Sequence, residues 1–363
     1  METYIPGKVG VCAGSFMLKW PLLNQHVHNH MMKLYPGDRV NVFINLECVL
    51  RNLFMQKGLN ELVTFHKQKV VIELESAILN LMASYRSYFN KEKCEPRMFF
   101  YFTDLGGAPQ EMEVYNKFYR SFYHNKYMQN PHFNKMGDLM QNIILPEVKL
   151  IVSYVPGCYF ITSRTFDSSV IPDVIAGFDQ SVKNVIITGD LFDTLYMLDP
   201  NFMTIYIKRR FQHFAVASSI QETIQTVIKN ESMFDMGIFS SEMYYRMLLS
   251  IHGSKIRNIK SAKGFGYGKF MRILKSGMER GIILKDFESI DSIIDTFPES
   301  YREDIKNAFQ CTSIDLQRSL LNDTDEEEIK SQIVDKEDIK SLEALNNKRF
   351  LEAPINLQSL LGN

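Results

Sequence analysis

Five short runs rich in Val, Ile, Phe and Tyr restrict the fold of this chain more than any other feature: RVNVFIN (39–45), RMFFYFTD (97–104), VKLIVSYV (148–155), KNVIITGD (183–190) and MTIYIK (203–208). Each is bounded by charged or turn-forming residues and has the length of a buried strand. Longer helix-like stretches, such as ELVTFHKQKVVIELESAILNLMASYRSYF, separate them. Strands that alternate with helices are joined by crossovers and pair in parallel. The expectation is therefore an α/β domain with a mostly parallel central sheet flanked by helices.

After about residue 215 the strand pattern fades, and IQETIQTVIKN, SSEMYYRMLLSI, YGKFMRILKSGMERG and PESYREDIKNAF read as successive helices. From Asp323 the run DTDEEEIKSQIVDKEDIKSLEALNNKR turns acidic and poor in aromatics, the composition of a solvated helix or a loosely held tail. The expected division is an N-terminal extension (1–38), an α/β domain (39–215), a helical region (216–310) and an acidic C-terminal helical tail (311–363).

At 363 residues and 45% hydrophobic content the chain can bury a large core, in one large domain or two smaller ones. Lys plus Arg is 41 and Asp plus Glu is 42, so an electrostatic partner must be met by a local patch and not by overall charge. The five cysteines include no CxxC pair, which suggests neither a zinc site nor a disulfide framework and fits a reducing compartment. The N-terminus lacks the pattern of a signal peptide, and no apolar stretch is long enough to span a bilayer. A cytoplasmic protein without membrane contact is expected.

One local patch stands out. Lys255, Arg257, Lys260, Lys263, Lys269, Arg272, Lys275 and Arg280 surround Gly264, Gly266 and Gly268 in the stretch GFGYGKFMRIL, with Glu279 the single acid among them. A G-h-G-h-G turn between two helices exposes backbone N–H groups that can grip a phosphate, and the next helix N-terminus adds a favourable dipole. Flanking cations would neutralise neighbouring phosphates without reading bases. The arrangement matches a helix-hairpin-helix for the DNA backbone. A tight turn that only packs two helices would use the same glycines but would not need the cations.

A second group follows from the strand order. Ligands bind beyond the carboxyl ends of the strands in an open parallel sheet. There the chain carries Asn45 with Glu47 nearby, Asp104, and Asp190 with Asp193; Asp173, opening a helix in SSVIPDVIAGF, is expected to reach the same edge. Carboxylates gathered at one edge can hold Mg²⁺ or Mn²⁺, hard cations that take oxygen ligands and support phosphodiester hydrolysis. Acids also end strands simply because loops are polar.

The order of these parts resembles the 5′-nuclease and flap endonuclease family of the PIN-like superfamily, which includes 5′-3′ exonucleases of bacteria and phages. VNVFINLECVLRNLF is similar to the family's first strand and FFYFTDLGGAP to its second, with Asp104 as the acid. EVYNKFYRSFYHNKY resembles the following basic segment, which implies that Lys117, Arg120 and Lys126 face the substrate. SSVIPDVIAGF stands where the family has a Glu-Ala-Asp-Asp helix, and VIITGDLFDTLYM where it has Ser-Gly-Asp-x-Asp. LLSIHGSKIRNIKSAKGFGYGKFMRIL resembles the Gly-x-x-x-Asp-Asn-Ile segment and hairpin. The likeness spans roughly residues 39 to 310 and implies a PIN-like domain over 39–215 with a helix-hairpin-helix region over 216–310.

The departures are specific. Asn45 stands where the family's first strand has Asp, Val170 and Pro172 replace acids of the helix, Phe192 replaces the second acid of Asp-x-Asp, and Arg257 replaces the late Asp. Each removes a charge from a divalent-cation site, and Arg257 adds an opposing one. What remains is a reduced metal set of Glu47, Asp104, Asp173 and Asp190, with Asp193 as the substitute for Phe192 among the candidate catalytic acids.

The resemblance thus implies a protein that binds duplex, flap or other branched DNA, or serves as a scaffold, on a nuclease fold whose two-metal site has degraded. The alternatives are a working Mg²⁺- or Mn²⁺-dependent 5′ nuclease with rearranged acids, and a structural subunit of a larger assembly, such as a phage's, with a protein partner. Other features weigh less. His26, His28 and His30 have zinc-compatible spacing but equally form one solvated strand face, and the C-terminal NLQSLLGN faintly resembles clamp-docking peptides. No GxxxxGK[ST] occurs, so ATP-driven work has no support.

Overall fold

The computed structural model of the chain describes residues 35–46, 48, 82, 89, 93–103, 145–163, 168–208, 213–217, 220–223, 242–254, 262, 268–270, 272–273, 294–319 and 321–334. Among them a six-stranded sheet forms the centre. Its strands are β1 (Arg39–Asn45), β2 (Glu95–Thr103), β3 (Cys158–Ser163), β4 (Lys183–Thr188), β5 (Phe202–Lys208) and β6 (His213–Ala217), in the spatial order β3-β2-β1-β4-β5-β6. Every pairing is parallel except that of β5 with β6. The mostly parallel α/β sheet expected from the sequence is therefore present. The chain moves outward from β1 through β2 to β3 and then returns to the other side of β1 as β4. A topological switch point results between β1 and β4, the place where such sheets leave a crevice beyond their carboxyl ends.

Parallel register puts paired residues on the same face of a sheet. Phe43 pairs with Phe99 and with Ile186, and Phe99 with Tyr159, so one face carries an aromatic row. The Phe43 and Phe99 rings stack at 5.2 Å between centroids, and Phe99 and Tyr159 at 5.0 Å. The helix α2 (Ile171–Phe178) covers this face with Ile171, Val174 and Ile175, and Pro172 in its first turn suits a helix start. A second core joins the 3₁₀ segment Phe192–Leu198 to the helices α3 (Ile220–Thr223), α4 (Glu242–His252) and α5 (Glu299–Gln310), through Phe192, Leu195, Ile220, Tyr245, Leu248, Phe297 and Phe309.

One expectation changes. VKLIVSYV is not a strand but most of the helix α1 (Leu145–Tyr154). Leu145, Val148 and Val152 are buried while Lys149, Leu150 and Ser153 are exposed, the spacing of a helix face and not the alternation of a strand. The strand lies just beyond, as CYFITS, after a turn in which Gly157 takes φ 67°.

Of the two readings of the acidic segment, its described part is a helix, and an anchored one. Helix α6 (Ile314–Ser319) leads to α7 (Asp323–Ser331), which starts in a capping box: the Asn322 side chain accepts from the Asp325 N–H and the Asp325 carboxylate accepts from the Asn322 N–H. Ile329 is fully buried in the aromatic face of the sheet. Beyond it the Gln332 side chain behaves as a peptide group against the edge strand β3, accepting from the Thr162 N–H (2.8 Å) and donating to the Thr162 carbonyl (3.0 Å). Asp323 and Glu327 stay exposed while Asp325 is buried in the cap, so composition described the outer face of α7 and not its anchoring.

Ile329→Ala should destabilise the fold by about 2–5 kcal/mol, the cost of emptying a well-packed site. Urea unfolding of the full chain measures it; a variant within a few tenths of the parent would mean that α7 contributes no core.

Candidate functional site

The alternation that builds the aromatic row also builds a buried polar cluster above it. Two residues beyond Phe43, Phe99 and Ile186 come Asn45, Tyr101 and Thr188, on the same face and at the carboxyl ends of three adjacent strands. After β4 the turn Gly189-Asp190-Leu191 runs into the 3₁₀ segment, which folds Asp193 back over these three side chains. Its Oδ2 accepts hydrogen bonds from Asn45 Nδ2 (2.9 Å), the Tyr101 hydroxyl (3.2 Å) and the Thr188 hydroxyl (2.5 Å). Asp193 has no exposed surface.

Asn45 is oriented from both ends. Its Oδ1 accepts the Cys48 N–H (3.1 Å), capping the helical turn that begins at Leu46, and this leaves its Nδ2 to face Asp193. The amide could not be turned around without losing both bonds.

Asp190 is also buried. Its Oδ1 accepts from the Phe192 N–H (3.1 Å) and the Ser254 hydroxyl (2.9 Å), while its own N–H donates to Thr188 Oγ1 (3.0 Å). Ser254 arrives from the helical region. Gly253 ends α4 in a left-handed conformation, φ 67°, with its N–H on the Leu249 carbonyl, and that turn points Ser254 at the acid. Burial and the two carboxylates together shift their neighbours. Burial first, and then Asp190 and Asp193, push the Cys48 thiol well above its usual range; burial and then Asp190 likewise raise the Tyr206 hydroxyl.

Phe192, the residue at the second acid position of the resemblance, points the other way. It is buried in the cluster that contains Tyr245, Leu248 and Phe270. The polar bond between the Thr194 and Tyr245 hydroxyls reinforces this junction. One short segment therefore presents a carboxylate to the sheet and an aromatic ring to the helices.

Asp173 does not join this group. Ile171, Pro172, Val174 and Ile175 face the core, which turns Asp173 outward with Ala176, Gly177 and Gln180. These line a cleft of about 340 Å³ with Asp199 and Arg318, beside Asn184 and Asn201 at the amino ends of β4 and β5. The Arg318 guanidinium lies 3.6 Å from the Asp173 carboxylate, beyond hydrogen-bond reach, and 2.9 Å from Glu326 of α7. Burial raises the Asp173 carboxyl above the ordinary carboxylate range, with Arg318 opposing the rise.

Of the basic candidates, Gly268 and Lys269 lie in a helical turn with Phe270, and both are exposed; Arg272 is exposed on the next described turn and donates to the Gly268 carbonyl. Phe270 is buried in the same cluster as Phe192, which fixes this turn to the junction. Glu47, Asp104, Lys117, Arg120, Lys126, Lys255, Arg257, Lys260, Lys263, Gly264 and Gly266 lie outside the described residues, as do His26, His28, His30 and the C-terminal peptide.

A divalent cation would need open lone pairs arranged around it. Here Asp193 Oδ2 already receives three donors, Asn45 presents an N–H where an oxygen ligand would be needed, and Phe192 is sequestered in a core. Among the described residues no group of three or more His, Cys, Asp or Glu side chains is arranged to hold a metal ion. The described donor set does not fit Mg²⁺ or Mn²⁺. Tyr101, Thr188 and Ser254, which complete the buried cluster, are not among the sequence candidates; strand alternation next to Asn45 is the signal for the first two.

No family model matches the sequence, and no curated protein matches it. Solved structures similar to the chain include the flap endonuclease of bacteriophage T5 in a pseudo-enzyme–product complex with DNA and metal ions, at 12% identity and a TM-score of 0.49, covering 81% of this chain and 98% of that one. The T5 5′-exonuclease with bound divalent zinc matches at 11% identity and 0.49, with the same coverage. A T5 protein co-crystallised with metal ions matches at 12% and 0.46, covering 82% and 100%. All three TM-scores lie below one half, and the α/β class of this chain stands on its own strand order and pairing. No helix among the described residues is long and apolar enough to cross a membrane.

Two variants test this geometry. Phe192→Ala should cost about 3–5 kcal/mol in denaturant unfolding, because it empties the junction between sheet and helices. Asp173→Asn tests the outward acid through pH. The raised native carboxyl holds a proton that the unfolded chain has already released, so its contribution to stability falls as pH rises from the ordinary carboxylate range through the raised native value. The Asn variant should lack that fall in a plot of unfolding midpoint against pH; an unchanged slope would remove Asp173 as its source.

Proposed function

We propose that this chain is a DNA-binding protein on a nuclease-like fold, with the old catalytic edge held together by internal hydrogen bonds in place of metal ions. The observation that carries this reading is the joint state of Asn45, Phe192 and Asp193. Two positions where the resembled family places acids hold an amide donor and a core aromatic, and the acid next to Phe192 has one carboxylate oxygen taken by three protein donors. Chemistry that needs hard cations at this edge has lost ligands on two sides.

DNA as the partner is supported by the basic stretch between Lys255 and Arg280 and by its link to the edge. Gly253 belongs to the segment similar to Gly-x-x-x-Asp-Asn-Ile, and its turn carries Ser254 to Asp190 immediately before Lys255. Lys269 and Arg272, within this basic stretch of sequence, occupy exposed helical positions. Such contacts neutralise backbone phosphates and bind duplex, flap or branched DNA by shape and charge.

The test pairs a gel shift of a labelled 5′-flap duplex with a cleavage assay in Mg²⁺ or Mn²⁺, using EDTA and Asp190→Ala as controls. The expected result is a shift without a product. Affinity should fall steeply with salt, and Lys263→Ala with Lys269→Ala together should weaken binding and flatten the log–log salt slope by about two. Metal-dependent product that disappears in Asp190→Ala would make the chain a working nuclease completed by Glu47 and Asp104. Neither shift nor product would make it a structural subunit with a protein partner.

A further inference from the structure

We infer that the Asn45 amide keeps the Asp193 contact at this sheet edge independent of divalent cations, and that the Asn45→Asp change converts that contact into a cation-dependent one. The inference rests on the reading of the edge as metal-free, and it goes beyond that reading by stating what the donor end of one side chain decides.

The geometry separates two roles of Asn45. Through Oδ1 it caps the helical turn after β1 by accepting the Cys48 N–H; through Nδ2 it donates to Asp193. Aspartate caps helices as well as asparagine does, so the substitution keeps the first role and removes the second. It also changes the sign of the contact. At 2.9 Å the donor amide would become a second carboxylate oxygen facing Asp193 Oδ2, within a site where both residues are buried and water cannot screen them. Asp190 adds a third carboxylate at the same edge.

Like charges so placed are relieved by a proton or by a cation, and hard divalent cations take such oxygen pairs. The other two donors on Asp193, from Tyr101 and Thr188, compensate its charge in the native chain but cannot compensate two. Asn45 thus acts as a positioning residue for Asp193, and through the Thr188 hydroxyl, shared by both acids, for Asp190.

The experiment is thermal melting of the full chain at neutral pH in EDTA and in millimolar Mn²⁺ at matched ionic strength. The native chain should melt at the same temperature in both. Asn45→Asp should lose several degrees in EDTA and recover most of them in Mn²⁺. Asn45→Ala, which loses cap and donor but adds no charge, should lose stability without recovery. Should Asn45→Asp fail to fold, Tyr101→Phe keeps the test open: it removes one donor to Asp193, and its lower melting temperature should be indifferent to Mn²⁺.

Mn²⁺ stabilisation of the native chain would overturn the inference, as would an Asn45→Asp variant that melts like the parent in EDTA. The gel shift separates this from the functional reading. A chain that melts as expected but leaves DNA unshifted retains the role of Asn45 and loses the DNA partner; a chain that shifts DNA and is stabilised by Mn²⁺ does the reverse.

Discussion

The fold's interior depends on how one buried carboxylate is compensated. Asp193 has no contact with water, and an unpaired charge there would be costly enough to unfold a domain of ordinary stability. Three donors from three adjacent strands meet it instead, and they can do so because parallel register aligns Asn45, Tyr101 and Thr188 at one height on one face. The polar cluster is thus a product of the sheet order, and in turn it ties the ends of β1, β2 and β4 to the segment that follows.

That segment explains why the helical region sits where it does. Within two residues it exposes Phe192 to the helices and Asp193 to the sheet, and Leu191, Leu195 and Met197 continue the apolar side. Polar bonds repeat the connection at two more places, Ser254 with Asp190 and Thr194 with Tyr245. An edge that faced a solvated crevice would leave these groups to water. Here it is a joint between two cores, and the exposed cations Lys269 and Arg272 are held relative to the acids through Phe270 in the same cluster.

Much of this was legible in the residues, with instructive exceptions. The runs for β1, β2, β4 and β5 were read within a few residues because Val, Ile and Phe dominate them and turns bound them. VKLIVSYV misled because all its apolar residues were read as one buried strand, whereas their spacing at Leu145, Val148 and Val152 marks a helix. Asn45, Asp190 and Asp193 were gathered by the rule for strand ends. Tyr101 and Thr188 were missed because they become neighbours only once β1 is known to lie between β2 and β4, which no local pattern reveals. The outward turn of Asp173 was readable from I-P-D-V-I, where four apolar neighbours leave the acid no place in the core.

The bond between Gln332 and Thr162 has a consequence at a larger scale. An outermost strand offers unpaired N–H and C=O groups that can recruit a strand from another molecule. On β3 the Thr162 pair is already taken by a side chain that imitates a peptide bond, donating and accepting at once. A strand from a second copy would have to displace it, together with the helix whose Ile329 is locked in the core. A residue near the end of the described chain thereby closes one position on the β3 edge to a strand from another molecule.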